Sequence, residues 1–530
     1  MRLAPRSPAR DEPRFSPDGT GAAPGMTHQD ANRAGCTMRV ATTSHGLHLL
    51  SPAPPPAPPL PAGEAASAET PPGHALPAPL QTALRQAPRR YRMPPLPADA
   101  GVARSAGAET ALAFALEVAR GAAEHHAPVP AGVDTLFTWA LETLIRESLQ
   151  PEGGDPSFQA LVLRAREPVV DEYVRLSAQV LTDARAVRAA VNAVAHPGKL
   201  RHQAPAEVQE ALAPLHRHAM AGEWSALRPA LEPLLAQAPT DDAEPRALLE
   251  ALSDLPALQR LERGAALLRD EAVQRYRALC ERRGPLAGTA SAAANGRAAA
   301  RLGAAAEAGT VQAFNQVAAL LDREAPGGGR HSVVHGLRIP GHYPGVAAQT
   351  KGEWDVALVR AVEASDTVDI VLLAEVKASA AAATTDLPRL LRGLERLAQA
   401  QPDASYTLAA NRGEVKVSGG SLRALQPRDE TLPPQVIYCC AAPTETPPAM
   451  LSAATKAVLL TDAACVAFAR SLVEGGSLDA ATLLPLWADL LNRPLRWRSV
   501  LRQYPNACHA REAMLQPQDL VSALVAAMAA

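Results

Sequence analysis

Two apolar runs that each carry charge constrain this chain most. Residues 352–359 read Gly-Glu-Trp-Asp-Val-Ala-Leu-Val, and residues 368–377 read Val-Asp-Ile-Val-Leu-Leu-Ala-Glu-Val-Lys. Aliphatic and β-branched residues dominate both runs, and the polar segment 363–367 between them suits a turn. The spacing predicts a β-hairpin. Period-2 alternation puts Val371, Leu373, Glu375 and Lys377 on one face of the second strand. In the first strand, Asp355 shares its face with Ala357 and Val359. The hairpin therefore gathers two carboxylates and an ammonium at the ends of apolar strands. Burying unpaired charge is strongly unfavourable, so this arrangement requires a reason.

The flanks supply a context. Residues 294–324 read as a long Ala-rich helix with an apolar stripe through Leu302, Phe314, Val317, Ala318 and Leu321. Glu307 lies two turns before Phe314 and falls on that stripe, where a carboxylate is unusual. It either turns towards the charged strands or reaches solvent at the stripe's edge. Residues 326–329, Pro-Gly-Gly-Gly, end the helix, and a strand follows over 332–339. His331, His335 and His342 cluster in sequence but lack the helical spacing or cysteine partners of a zinc site. After Lys377 an Ala-rich loop leads to Asp386, which suits an N-cap for a helix over 387–400. Leu387, Leu390, Leu391, Leu394 and Leu397 form its apolar face, while Arg389, Arg392, Arg396 and Gln399 recur on the other. Such a stripe is either a solvated face or a set of phosphate contacts. Further strands are predicted over 405–409, 414–418, 435–441 and 457–461, then helices over 463–530.

The hairpin's charges suit phosphodiester chemistry. Mg²⁺ or Mn²⁺ prefers a few carboxylate oxygens and keeps several waters. Such an ion polarises a phosphoryl group and favours bound hydroxide. A lysine two residues from one carboxylate can orient the water or stabilise developing negative charge, and it offsets repulsion between the acids. The pattern Glu353-x-Asp355 followed by Glu375-x-Lys377, between the two helices, resembles the PD-(D/E)XK nuclease superfamily over residues 294–442. The resemblance implies a restriction-endonuclease-like α/β domain with a mixed sheet. It implies that Asp355 and Glu375 bind the metal and that Lys377 completes the catalytic trio. Glu307, Glu353 and Gln399 are its accessory candidates. Arg389, Arg392 and Arg396 are its candidates for contacting nucleic acid, with DNA the expected substrate. A non-catalytic nucleic-acid or protein-binding scaffold on a degenerate nuclease fold is the alternative.

The rest of the chain reads differently. Twenty of the 49 prolines fall in the first hundred residues, so residues 1–78 are expected to be a disordered Pro/Ala-rich tail. The basic segment 80–92 reads as a solvated connector. Residues 109–322 show apolar residues at spacings of three and four and almost no strand pattern, which gives an all-helical domain over 79–290. The nuclease-like domain then spans 291–445, and a helical region spans 446–530. With aromatics at 3%, the cores must be built from Ala, Leu and Val. A net charge of −2 excludes a bulk polyanion binder and leaves a local basic patch for any nucleic-acid contact. The six cysteines have no C-x-x-C spacing, and Cys439-Cys440 lie in an apolar run, as suits free thiols in a reducing, cytoplasmic compartment. Residues 1–10 carry charge without an apolar stretch, and no run approaches a membrane span, so neither a signal peptide nor a membrane partner is expected.

A second resemblance extends over the whole chain. The segments Arg-Tyr-Arg-Met-Pro-Pro-Leu-Pro at 90–97 and Glu-Val-Lys-Ala-Ser at 375–379 are similar to bacterial proteins named 3-deoxy-D-arabino-heptulosonate 7-phosphate synthase. That chemistry implies a (β/α)₈ barrel, with eight strands alternating with helices. The first three hundred residues here lack that alternation.

Overall fold

The computed structural model describes residues 75–237, 243–284, 290–325, 329–346, 350–444 and 447–530. The expected disordered tail up to residue 74, and the breaks at Pro239, Pro285 and residues 326–328, lie outside them.

One mixed sheet holds the charged strands. Its strands are β1 (His331–Arg338), β2 (Glu353–Ala361), β3 (Val368–Lys377), β4 (Ser405–Ala410), β5 (Gly413–Ser418), β6 (Val436–Cys440) and β7 (Met514–Leu515). Their order is β2-β1-β4-β5-β3-β6-β7, and β2 also pairs with β3, so five strands close on themselves. β1, β2 and β3 are successively antiparallel, while β6 runs parallel to β3 from Leu373 to Lys377. The strands at 353–361 and 368–377 therefore form the predicted hairpin. No eight-stranded parallel barrel is present among the described residues.

Helices cover both faces of the sheet. On one side lies α3 (Ala381–Leu397), whose leucines pack against Ala357, Val359, Ile370 and Leu373. On the other side lie α1 (Ala78–Gln86), α2 (Ala290–Glu324) and α4 (Pro517–Ala529), packed against Val356, Leu358, Leu372, Ile437 and Leu515. α2 buries Thr310, Ala313, Phe314, Val317 and Leu321, spaced three and four apart on one face. Leu302 departs from that expected stripe. It is 66% exposed, because the first half of α2 extends beyond the sheet.

Other expectations are corrected by packing. The segment 80–92 is not a solvated connector. Leu80 and Leu84 are buried against the sheet's helical layer, and the Tyr91 hydroxyl donates to the carbonyls of Cys440 and Ala442 at 2.9 and 2.6 Å. Arg90 and Arg92 pair with Asp519 and Glu512. The expected strand at 457–461 is largely helix instead, spanning Ala453–Leu460, with the Ser452 side chain capping it by accepting from the Thr455 N–H. Helix α3 begins six residues before the expected start, and Asp386 lies inside it rather than at its cap.

The helical segments also interleave along the chain. Leu112, Leu116, Phe137 and Leu141 from the N-terminal part share one core with Phe468, Trp487 and Val500 from the C-terminal part. The rings of Phe137 and Trp487 lie 5.1 Å apart. A separate helical core, around Val187, Val191, Leu215, Leu231 and Leu258, forms between residues 180 and 267. No described helix is long and apolar enough to cross a membrane.

Candidate active site at the end of strand β3

A bulge sets the direction of the charged side chains. The β2–β3 ladder pairs Leu358 with Leu372 and then Val359 with Ile370, so Val371 is left over. This splits the predicted common face. Val371 packs with Leu372 towards α2, whereas Leu373 faces α3. Two residues beyond Leu373, Glu375 points to the α3 side.

Glu375 is the most deeply buried charged residue of the site, at 3% exposure. Its Oε1 accepts from Lys351 Nζ at 2.7 Å and from Lys377 Nζ at 2.9 Å. Its Oε2 is buried without any hydrogen-bond partner. Burial pushes the Glu375 carboxyl up to about 7, against the pull of Lys351 and Lys377, while the negative charge of Asp355 adds to the rise. Lys377 also reaches Asp386 Oδ2 on α3 at 3.0 Å. Burial pulls the Lys377 ammonium down, but Glu375 and Asp386 outweigh it and hold the group above the ordinary lysine value. The Tyr438 hydroxyl on β6 donates to the same Asp386 oxygen at 3.3 Å, fixing that carboxylate.

Asp355 sits at the rim. Its Oδ2 accepts the Val376 backbone N–H at 2.7 Å, just past the last ladder pair, Val356 with Ala374. That bond ties the Asp355 side chain to the strand that carries Glu375. The structure thus brings Asp355, Glu375 and Lys377 into one charged neighbourhood and adds Lys351, Asp386 and Tyr438 to it.

The accessory candidates lie elsewhere. Glu307 faces His335 on β1, with Oε1 to Nδ1 at 3.5 Å. Glu353 is exposed and pairs with Arg338. Gln399 is exposed and donates to the Glu395 carbonyl. Arg389 and Arg392 are exposed on α3. Arg396 is not, and it leaves the expected solvent-facing stripe. At 6% exposure, it donates to the carbonyls of Pro340, Tyr343 and Pro344 at 3.4–3.5 Å and stacks over the Tyr343 ring. Residues 340–344 fold over this turn of the helix and bury most of the Arg396 side chain. Of the histidines, His331 pairs with Asp322 and His335 with Asn411 and Glu307.

Lys351 escaped the sequence reading because Thr350-Lys351-Gly352 carries no periodic signal. Only the need of a buried Glu375 for more than one counter-charge hinted at it. Lys351 is 8% exposed, and its ammonium lies 5.9 Å from the Trp354 ring. Tyr438 was legible only as a strand residue, and Asp386 only as a cap.

Among the described residues no group of three or more His, Cys, Asp or Glu side chains is gathered for metal binding. Two carboxylates remain, one of them with an unpartnered, buried oxygen. A Mg²⁺ or Mn²⁺ ion held by such a pair takes its remaining ligands from water and substrate.

No family model matches the chain, and neither a curated protein nor a solved structure is significantly similar to it.

Proposed function

We propose that the chain is a metal-dependent nuclease of the PD-(D/E)XK type. The observation that carries this reading is the unpartnered, buried Oε2 of Glu375 in the same neighbourhood as Asp355, with Lys377 beside it. The order α2, β1, β2, β3, α3, followed by β4, β5 and then β6, with β6 parallel to β3, supports a restriction-endonuclease-like domain. Asp355 and Glu375 would hold Mg²⁺ or Mn²⁺, which supplies Lewis-acid polarisation of a phosphodiester and an activated water. Lys377 is fixed from two sides by Glu375 and Asp386, so its ammonium is preorganised to orient water and stabilise charge developing on phosphate. Exposed Arg389 and Arg392 follow Asp386 on the same helix and provide cationic contacts for a nucleic-acid backbone, with DNA the proposed substrate. Free thiols at Cys439 and Cys465 support a reducing, cytoplasmic setting.

The test is cleavage of duplex DNA, single-stranded DNA and RNA by the full chain with Mg²⁺ or Mn²⁺. Asp355→Ala and Lys377→Ala should each lower the rate by about 10²-fold or more. Equal rates in wild type and both variants would sink the catalytic assignment.

One observation favours a second reading. Lys351 already neutralises Glu375, as befits a degenerate nuclease fold that binds nucleic acid or protein without cutting. Metal-independent DNA binding with no cleavage of any substrate would select it.

A further inference from the structure

Glu375 is engaged by two ammonium groups through one oxygen, and those two lysines are not equivalent. Lys377 has a second carboxylate, Asp386, which Tyr438 holds in turn. Among the described residues, Glu375 is the only carboxylate paired with Lys351. Lys377 is carried by β3 itself, whereas Lys351 stands outside the strand, two residues before β2 begins. Both ammonium groups are largely shielded from water, at 10% and 16% side-chain exposure. A buried carboxylate needs a counter-charge when no metal is present, and a buried cation needs a partner when it is displaced.

We infer that Lys351 is an exchangeable internal counter-cation, holding Glu375 until a divalent ion takes that carboxylate. The inference rests on the metal-site reading above and extends it to a residue outside the Asp355, Glu375 and Lys377 trio. The exchange is one of charge. The ion binds the Glu375 carboxylate, the Lys351 ammonium leaves Oε1, and Lys377 stays in place through Asp386. The released ammonium would then need a new partner, which a substrate phosphate can supply. Metal and anionic substrate should therefore bind with positive coupling, because each relieves a charge that the other leaves unpaired.

The test uses the full-length chain and Mn²⁺ titrated by calorimetry. Lys351→Met should bind Mn²⁺ about tenfold more tightly than wild type, within the usual span of coupling between two competing ligands. Lys351→Arg keeps the positive charge and should not tighten binding. Equal or weaker binding by Lys351→Met, or equal tightening by Lys351→Arg, overturns the exchange while leaving the metal site standing. No Mn²⁺ binding by wild type or either variant removes the metal reading and this inference together. Should Lys351→Met fail to fold, the wild-type protein still decides. In ¹⁵N spectra of the lysine ammonium groups, Mg²⁺ should shift or broaden the Lys351 signal while that of Lys377 keeps its hydrogen-bonded position. Movement of Lys377 alone, or of neither signal in Mg²⁺-bound protein, overturns the proposal.

Discussion

Glu375 shows at the scale of one residue what burial does to chemistry. Its carboxyl stands near 7 in the folded chain, against an ordinary value of 4.5. The folded state therefore holds a proton between those values that the unfolded chain releases. Stability from this group is complete below about pH 4.5 and is lost as pH rises through 7. Glu375→Gln cannot titrate, so the decline across that window should flatten by up to about 3 kcal/mol in urea unfolding measured at pH 5 and pH 8. An unchanged slope would show that the carboxyl is ionised throughout. The same residue also shows how far local reading reaches. Glu375 and Lys377 were legible as a charged strand end, and their mutual bond follows from alternation. Lys351 was not legible, because its role depends on a contact with a residue 24 positions away in sequence.

At the scale of elements, α3 and the start of β2 set the site through one close approach. A Cβ at Gly393 would lie 2.8 Å from Lys351 Cβ, 3.1 Å from Trp354 Cζ2 and 3.2 Å from the Lys351 carbonyl oxygen. The absence of a side chain there is what lets the helix lie against Lys351 and Trp354. Alanine favours an isolated helix by about 1 kcal/mol over glycine. Here the steric push should win, and Gly393→Ala should destabilise the chain by about 1–3 kcal/mol. A rise in the urea midpoint would show that the helix relaxes without strain. Arg396 belongs to the same contact. Its spacing with Arg389 and Arg392 predicted one exposed stripe, but helical periodicity assigns only a face. The 340–344 loop decided which turn of that face is covered. The bulge at Val371 makes the parallel point for strands, since alternation holds only while every residue pairs.

At the scale of the whole molecule, cores join segments that are far apart in sequence. The sheet's second face is completed by Leu80 and Leu84 from α1, and by Leu515, Leu520 and Leu524 from the C-terminal end. Five buried leucines contribute about 1.5–3 kcal/mol each. Together they match the net stability of a typical domain, about 5–15 kcal/mol. A fragment of residues 291–445, cut at the boundaries the sequence suggested, should therefore show no cooperative urea transition and should bind a hydrophobic dye. A sharp two-state transition in that fragment would show that the sheet and its α2 and α3 layers suffice.

What the sequence determined by itself was local. Hydrophobic periodicity specified the β2–β3 hairpin, the long helix α2, the apolar face of α3 and the pairing of charge with apolar strands, because each depends on neighbours within a few residues. Tertiary structure alone decided which charges meet. Lys351 reaches Glu375, Glu307 turns to His335, Arg396 is enclosed, and Leu80 and Leu84 join Leu515, Leu520 and Leu524 in covering the sheet. These outcomes depend on close packing and on neutralising buried charge, and both are settled by residues distant in sequence that no local pattern can name.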